Sequence, residues 1–169
     1  VTSWDWSKAG DKSRKPKKDK YGMDDYNWMK GEFVWIESGK PNYTWYNGSM
    51  KRVLLGDKVD ADAPMVNITE PVGSIKDPGS KISPFKFMEG TMAVDLEHRH
   101  LMVPHLFPKN KEDTTAYWKH TDWQKAYTVG MQAAHLPYSG KYKWINTRMY
   151  WGIEHEVMPA DMALSCVQC

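Results

Sequence analysis

The sequence is short of cysteine. Only two occur among 169 residues, and both fall in the final four positions. A disulfide framework spread along the chain is therefore excluded. Phenylalanine is scarce as well: four residues stand against nine tryptophans, nine tyrosines and eleven methionines. No apolar run approaches the ~18 residues that a membrane-spanning helix needs. An excess of one charge is missing too, since 23 Lys and Arg against 21 Asp and Glu leave a net +2 at pH 7. That balance removes any bulk-charge case for nucleic-acid binding. The opening VTSWDWSKAG lacks the apolar stretch of a signal peptide.

What is present suits one ordered domain. Large flat rings and pliable thioethers fill an irregular core, and they also pack around planar objects. Trp4 and Trp6 can share one face of a strand-like segment. Residues 11–20, DKSRKPKKDK, read as a basic solvated loop, with docking of an anionic partner as the functional alternative. Residues 31–56 read as a strand (GEFVWIE, 31–37) and a hairpin in NYTWYNGSMKRVLLG. In that hairpin Asn47-Gly48 forms a type I′ turn between Tyr43–Tyr46 and Met50–Leu55. Prolines 64, 71, 78 and 84 limit residues 57–84 to short extended pieces. FKFMEG and HLMVPHLF are expected to pair as strands around residues 85–107.

One helix is expected over 121–136. Thr121 or Asp122 caps it, and Trp123, Ala126, Tyr127, Met131 and Ala134 form its apolar stripe. Pro137 and Gly140 end it. A second helical turn is expected over 159–169, beginning at Pro159. The fold class is thus α+β with low regular secondary structure: short antiparallel strands and a hairpin, one or two helices, and many loops.

The terminal pair Cys166 and Cys169 forms a C-x-x-C. Such a pair can be a redox dithiol, half of a zinc site, a disulfide, or the anchor of a covalently attached haem. The redox reading needs a βαβ context before the motif, which is not apparent. Spacing alone leaves haem, metal and disulfide open.

The segments SWDWSKAG, NYTWYNGSMKRVLLGDKVD, GSIKDPGSKISPFKFMEG, LPYSGKY and MYWGIEHEVMPADMALSCVQC resemble the C-terminal part of the octahaem tetrathionate reductase family of multihaem c-type cytochromes. The likeness runs over nearly the whole chain. Its most specific pieces are the aromatic hairpin and the ending H-x-V-x-P-x-x-x-A-L-x-C-x-x-C. It implies a single inter-haem segment of a larger multihaem domain, expected to stop one residue short of a C-x-x-C-H. Residues 159–169 would then start a haem-attachment helix, with Cys166 and Cys169 holding haem c.

The resemblance also ranks the histidines. His155, in GIEHEVMPADMALSC, matches a family histidine and is expected to be the distal ligand to the iron of a neighbouring haem. His105, in VPHLFP, is the next candidate iron ligand; its bland alternative is a core histidine bonded to a carbonyl. His98 and His100 alternate as on one strand face, where they could grip a metal or simply form a polar face. His120 is expected to be exposed. His135 would suit a helix C-terminus. Trp4, Trp6, Trp35, Trp45, Trp144 and Trp151 could wall the porphyrins or build an ordinary core. A segment of this kind is expected to expose a broad aromatic surface. The catalytic residues remain unknown. By the resemblance the family's lysine-ligated haem lies upstream, so none of Lys81, Lys86 and Lys109 is assigned to it.

The expected parent is a periplasmic multihaem reductase of tetrathionate or a related sulfur or nitrogen oxyanion, served by redox partner proteins. The segment alone would be inactive, with no nucleic-acid partner and no membrane span. A bis-histidine electron conduit without an open iron is the first alternative. A small zinc- or disulfide-stabilised binding module is the second.

Overall fold

The computed structural model describes residues 2–37, 39–153 and 167. Among them, eight strands form one mixed sheet. They are β1 (Ser3–Asp5), β2 (Tyr26–Asn27), β3 (Gly31–Val34), β4 (Asn42–Tyr46), β5 (Met50–Arg52), β6 (Val66–Pro71), β7 (Lys81–Asp95) and β8 (Tyr142–Gly152). Two helices, α1 (Tyr117–His120) and α2 (Trp123–Ala133), follow β7. The strand order is β2-β3-β1-β7-β8-β6-β5, with β4 paired to β7 outside that path. The α+β, loop-rich class expected from the sequence is the class observed. No helix among the described residues is long and apolar enough to cross a membrane.

β7 is the spine. Along one edge it pairs antiparallel with β8 from Phe85↔Gly152 to Asp95↔Tyr142. Phe85 also pairs with Asn42, so β4 lies on the opposite edge, over Lys81–Phe85. β1 continues that edge in parallel over Glu89–Thr91. The strand at FKFMEG is thus real, but its partner is β8. HLMVPHLF turns back only onto the far end of β7, where Asp95 N donates to His100 O at 3.0 Å and Met102 N to Ala93 O at 2.9 Å.

The hairpin expected at Asn47-Gly48 is corrected. The chain bends there, but not in the expected type I′ turn: Gly48 takes φ +96° while Asn47 keeps a negative φ, and Ser49 N donates to Asn47 Oδ1 at 3.1 Å. The strands on either side part company, however. β4 pairs with β7, while β5 pairs with β6. Asn47 N donates instead to Val72 O, and Val72 N to Ser49 O, both at 2.8 Å. The turn sequence fixes the local bend, but pairing follows whichever strands bury the better face.

The two faces of the β7–β8 ladder carry separate cores. On one, Val94 and Ile145 pack with Val66 of β6 and with Val59 and Ala61 from the loop before it. On the other, Ala93 and Met102 meet Tyr127 and Met131 of α2, flanked by Trp123, Tyr142 and Trp144. The helix forms as its pattern predicts. Asp122 is the cap, accepting from Lys125 N at 3.1 Å, and Ala126, Tyr127, Gly130 and Met131 are its buried face. Met131, fully buried there, contributes on the order of 1.5–3 kcal/mol.

α2 also pins the segment bearing His105. His105 N donates to Ala126 O at 2.9 Å, and Tyr117 N donates to His105 O at 2.9 Å. Gly130 permits this approach, because a Cβ there would stand 1.9 Å from Val103 O and 2.8 Å from His105 N. Helix propensity favours alanine over glycine by about 1 kcal/mol. A clash with backbone cannot relax by a side-chain rotation, and overpacking of this kind costs about 1–3 kcal/mol or more. Gly130→Ala is therefore expected to destabilise the protein by about 2 kcal/mol in urea unfolding followed by circular dichroism. Gln132→Ala, on the exposed side of the same helix, should change stability by less than about 0.5 kcal/mol.

Candidate functional site

Cys166, Cys169 and His155, and the helical turn expected from Pro159, lie outside the described residues. What the structure gives is the surface from which the chain runs toward them. β8 ends at Gly152 and Ile153 follows, at the end of the ladder where Phe85 faces Gly152. A cleft of about 420 Å³ opens there, lined by Tyr46, Met50, Arg52, Thr69, Phe85, Tyr150, Trp151 and Ile153, among others.

Strand alternation builds this cleft. Met50 and Arg52 are two apart on β5 and share a face, opposite Pro71 and Thr69 of β6. Thr69 locks β6 to β8: its Oγ1 donates to Tyr150 O at 2.9 Å, and Tyr150 N donates back to the same oxygen at 2.8 Å. Phe85 is buried, with Tyr46 edge-on to it at 5.3 Å and Tyr150 at 6.1 Å. On the neighbouring stretch Arg148 lies over the Phe87 ring at 4.4 Å and grips Glu89 at 3.0 and 2.5 Å. The Glu89 bond holds the Arg148 guanidinium above its ordinary value.

Four of the nine tryptophans sit elsewhere, in a ring cluster that joins β1 to α2 and β8. Trp4 stacks on Trp6 at 4.6 Å, Trp6 meets Trp123 edge-on at 6.1 Å, and Trp123 stacks on Tyr117 at 3.6 Å. Trp144 closes the cluster 5.4 Å from Trp123. Burial pushes the Tyr117 and Tyr127 phenols up, so both stay neutral. Trp35 donates its indole N–H to Asp24 O at 3.0 Å, and Trp45 lies opposite Ile82 on the β4–β7 arm. The broad exposed aromatic surface is not found among the described residues. The exposed large apolar side chains are mostly aliphatic, with Tyr43, Phe107 and Trp151 the aromatic exceptions. The rings pack on one another because a ring stack buries more area than a solvated ring.

His105 is mostly buried, and its Nε2 lies 2.7 Å from Asp113 Oδ2. Asp113 also accepts from Lys109 N at 2.9 Å and from the N–H and hydroxyl of Thr115 at 2.8 and 2.7 Å. The His105 bond, followed by the Thr115 hydroxyl and these N–H groups, holds the Asp113 carboxyl far below the usual range. The partner of His105 is thus a carboxylate, the group that commonly orients a metal-ligating imidazole. A shallow pocket of about 300 Å³ adjoins the pair.

His98 and His100 do not share a strand face. Arg99 between them takes φ +64°, and the rings stack at 5.7 Å across a turn. That turn is organised by Asp95, which is fully buried and accepts from Glu97 N, His98 N and Ser139 N at 2.9, 2.7 and 2.7 Å. Burial pushes the Asp95 carboxyl up, but these N–H bonds outweigh it and leave the group lowered. His100 Nε2 lies 2.9 Å from Pro137 O. Among the described residues no three of His, Cys, Asp and Glu converge as a metal set. His120 is exposed, as expected, at the end of α1, a helix that the sequence reading missed. His135 is exposed just beyond α2 at φ +55°.

Comparison with known proteins gives a consistent result. The family model described as bacterial cytochrome c matches residues 1–169. Among solved structures, the octahaem cytochrome c of Shewanella oneidensis is similar, with a TM-score of 0.82 and 36% identity over 99% of this chain. The chain spans 38% of the length of that protein. No curated protein matches.

The Asp113 environment makes a pH prediction. A carboxyl depressed in the folded state stabilises it fully above its unfolded pKa, about 4. That contribution is lost as pH falls below this value toward the folded one. Asp113→Asn should therefore lower stability at pH 7 and flatten the acid limb of a stability–pH curve below about pH 5. An unchanged acid limb would show that the His105–Asp113 pair carries no such linkage.

Proposed function

The chain belongs to the bacterial cytochrome c family, and from that membership we propose that its parent is a periplasmic multihaem reductase of tetrathionate or a related small sulfur or nitrogen oxyanion. The observation that carries the reading is 36% identity to an octahaem cytochrome c over 99% of this chain, together with a C-x-x-C among its last residues. The chain is that of a multihaem electron-transfer cytochrome, and its cofactor is covalently bound c-type haem.

The donors fit that group. Two thiols at C-x-x-C spacing suit thioether attachment, and imidazole suits iron in both oxidation states. Bound haem supplies the one-electron chemistry. In this reading Cys166 and Cys169 anchor one haem, and His155 is the distal ligand of a neighbouring one. His105 is a further candidate, and Nδ1 would be its donor, since Nε2 is held by Asp113. The rest of the chain acts indirectly: it fixes the ligands on a rigid sheet, excludes water and sets the local charge, all of which tune reduction potential. Redox partner proteins and the oxyanion would be met by the assembled parent.

The test uses the full-length parent matured in a haem-loading periplasm. Replacing Cys166 and Cys169 by alanine should lower the covalent haem count by one in intact-mass analysis. His155→Ala should convert one haem from low spin to high spin in absorption and EPR spectra. An unchanged count or unchanged spin state would remove the corresponding assignment. The reduced parent should turn over tetrathionate, nitrite or hydroxylamine; with haems loaded and none of these reduced, the conduit reading replaces the reductase.

A further inference from the structure

We propose that the cleft at the Phe85–Gly152 end of the β7–β8 ladder is a haem seat in which Arg52 binds a propionate. The proposal rests on the haem reading given above and names a site within it. A haem presents an apolar plane with two carboxylates along one edge, so its seat needs ring or aliphatic walls and a cation at the rim. This cleft has both. Phe85 and the edge-on Tyr46 and Tyr150 rings give the apolar part, and Trp151 stands half-exposed beside them.

The cation is the decisive feature. The chain has arginine at positions 14, 52, 99 and 148. Three are neutralised: Arg14 by Glu32 at 2.7 Å, Arg99 by Asp62 at 2.9 Å and Arg148 by Glu89 at 2.5 Å. Arg52 has no carboxylate against it among the described residues, and it lines the cleft. An arginine fork is matched to a carboxylate, which it can take in two parallel hydrogen bonds. The pairing of Arg52 with Thr69, and the Thr69–Tyr150 lock, tie its backbone to the sheet that bears the ring walls. A free oxyanion would offer the same negative charge to Arg52 but has no use for the apolar walls, which favours the propionate.

The test is spectroelectrochemistry of the haem-loaded parent with Arg52→Leu, Arg52→Gln and Arg52→Lys. A nearby cation favours the reduced haem, which carries one positive charge fewer than the oxidised form. Arg52→Leu and Arg52→Gln should therefore lower the midpoint of one haem. The expected size is a threefold to tenfold rise in its oxidised-to-reduced ratio at fixed potential. Arg52→Lys should restore most of the shift, and the propionate bending mode in resonance Raman should move only in the uncharged variants. Unchanged midpoints in both uncharged variants, at full haem count, would overturn the seat. So would a variant that loses only the binding of added sulfate or tetrathionate, which would make Arg52 a free-anion site. A wild-type parent devoid of haem would instead overturn the functional reading, and this seat with it.

Discussion

The structure depends on one continuous ladder, the antiparallel pairing of Phe85–Asp95 with Tyr142–Gly152. The other strands attach to one of these two directly or through neighbours: β1 and β4 to β7, β6 to β8, β3 and β5 at one remove, and β2 at two. The parallel pairings of β1 with β7 and of β6 with β8 do not nucleate locally. Each has β7 or β8 as its partner, so both rest on the central ladder. Its two faces are filled by different means, aliphatic loop residues on one and the aromatic face of α2 on the other.

Buried carboxylates then organise what the ladder leaves loose. Asp95 ends β7 and gathers three backbone N–H groups, two from its own turn and one from Ser139 ahead of β8. It thereby fixes the register at the closed end of the ladder. Asp113 does the same for the segment after it, joining Lys109 and Thr115 to the imidazole of His105. In both places one ionised side chain satisfies several donors that would otherwise be stranded without a strand or helix to use them. This is how a chain with little regular structure around residues 96–116 holds a defined path.

The elements legible in the sequence were those whose signal is local. α2 could be read because its stripe recurs every three to four residues and Asp122 stands at its start. The bend at Asn47-Gly48 could be read because φ > 0 is a local demand. Its use as a hairpin could not, because the better partners of β4 and β5 lie 35 and 17 or more residues away, in β7 and β6. β8 was missed although KYKWINTRMYW alternates well. Its charged and polar positions, Lys143, Asn146 and Arg148, blur the pattern until Asp62 and Glu89 are seen to pair two of them. The His98–His100 spacing misled in the same way: the left-handed turn at Arg99 replaces the strand that alternation suggested. Arg52 had no sequence signal at all, since an arginine without a carboxylate among the described residues is recognised only after the partners of the other three are known.

The two ends of the ladder differ in kind. At the Asp95–Tyr142 end the chain meets its own needs: rings stack on rings, carboxylates take backbone donors, and α2 closes the face. At the Phe85–Gly152 end it keeps a ring-lined cleft and a cation with no carboxylate among the described residues. The chain leaves β8 at that end for the segment bearing His155 and the two thiols. A scaffold that must fold and also receive a large planar cofactor benefits from this division. Contacts within the chain hold the sheet in register at the self-sufficient end, and the cleft at the other end is presented on strands of that same sheet. A cation carried on such a fixed strand acts on its ligand's charge without reorganising, which is what lets a single side chain set a potential.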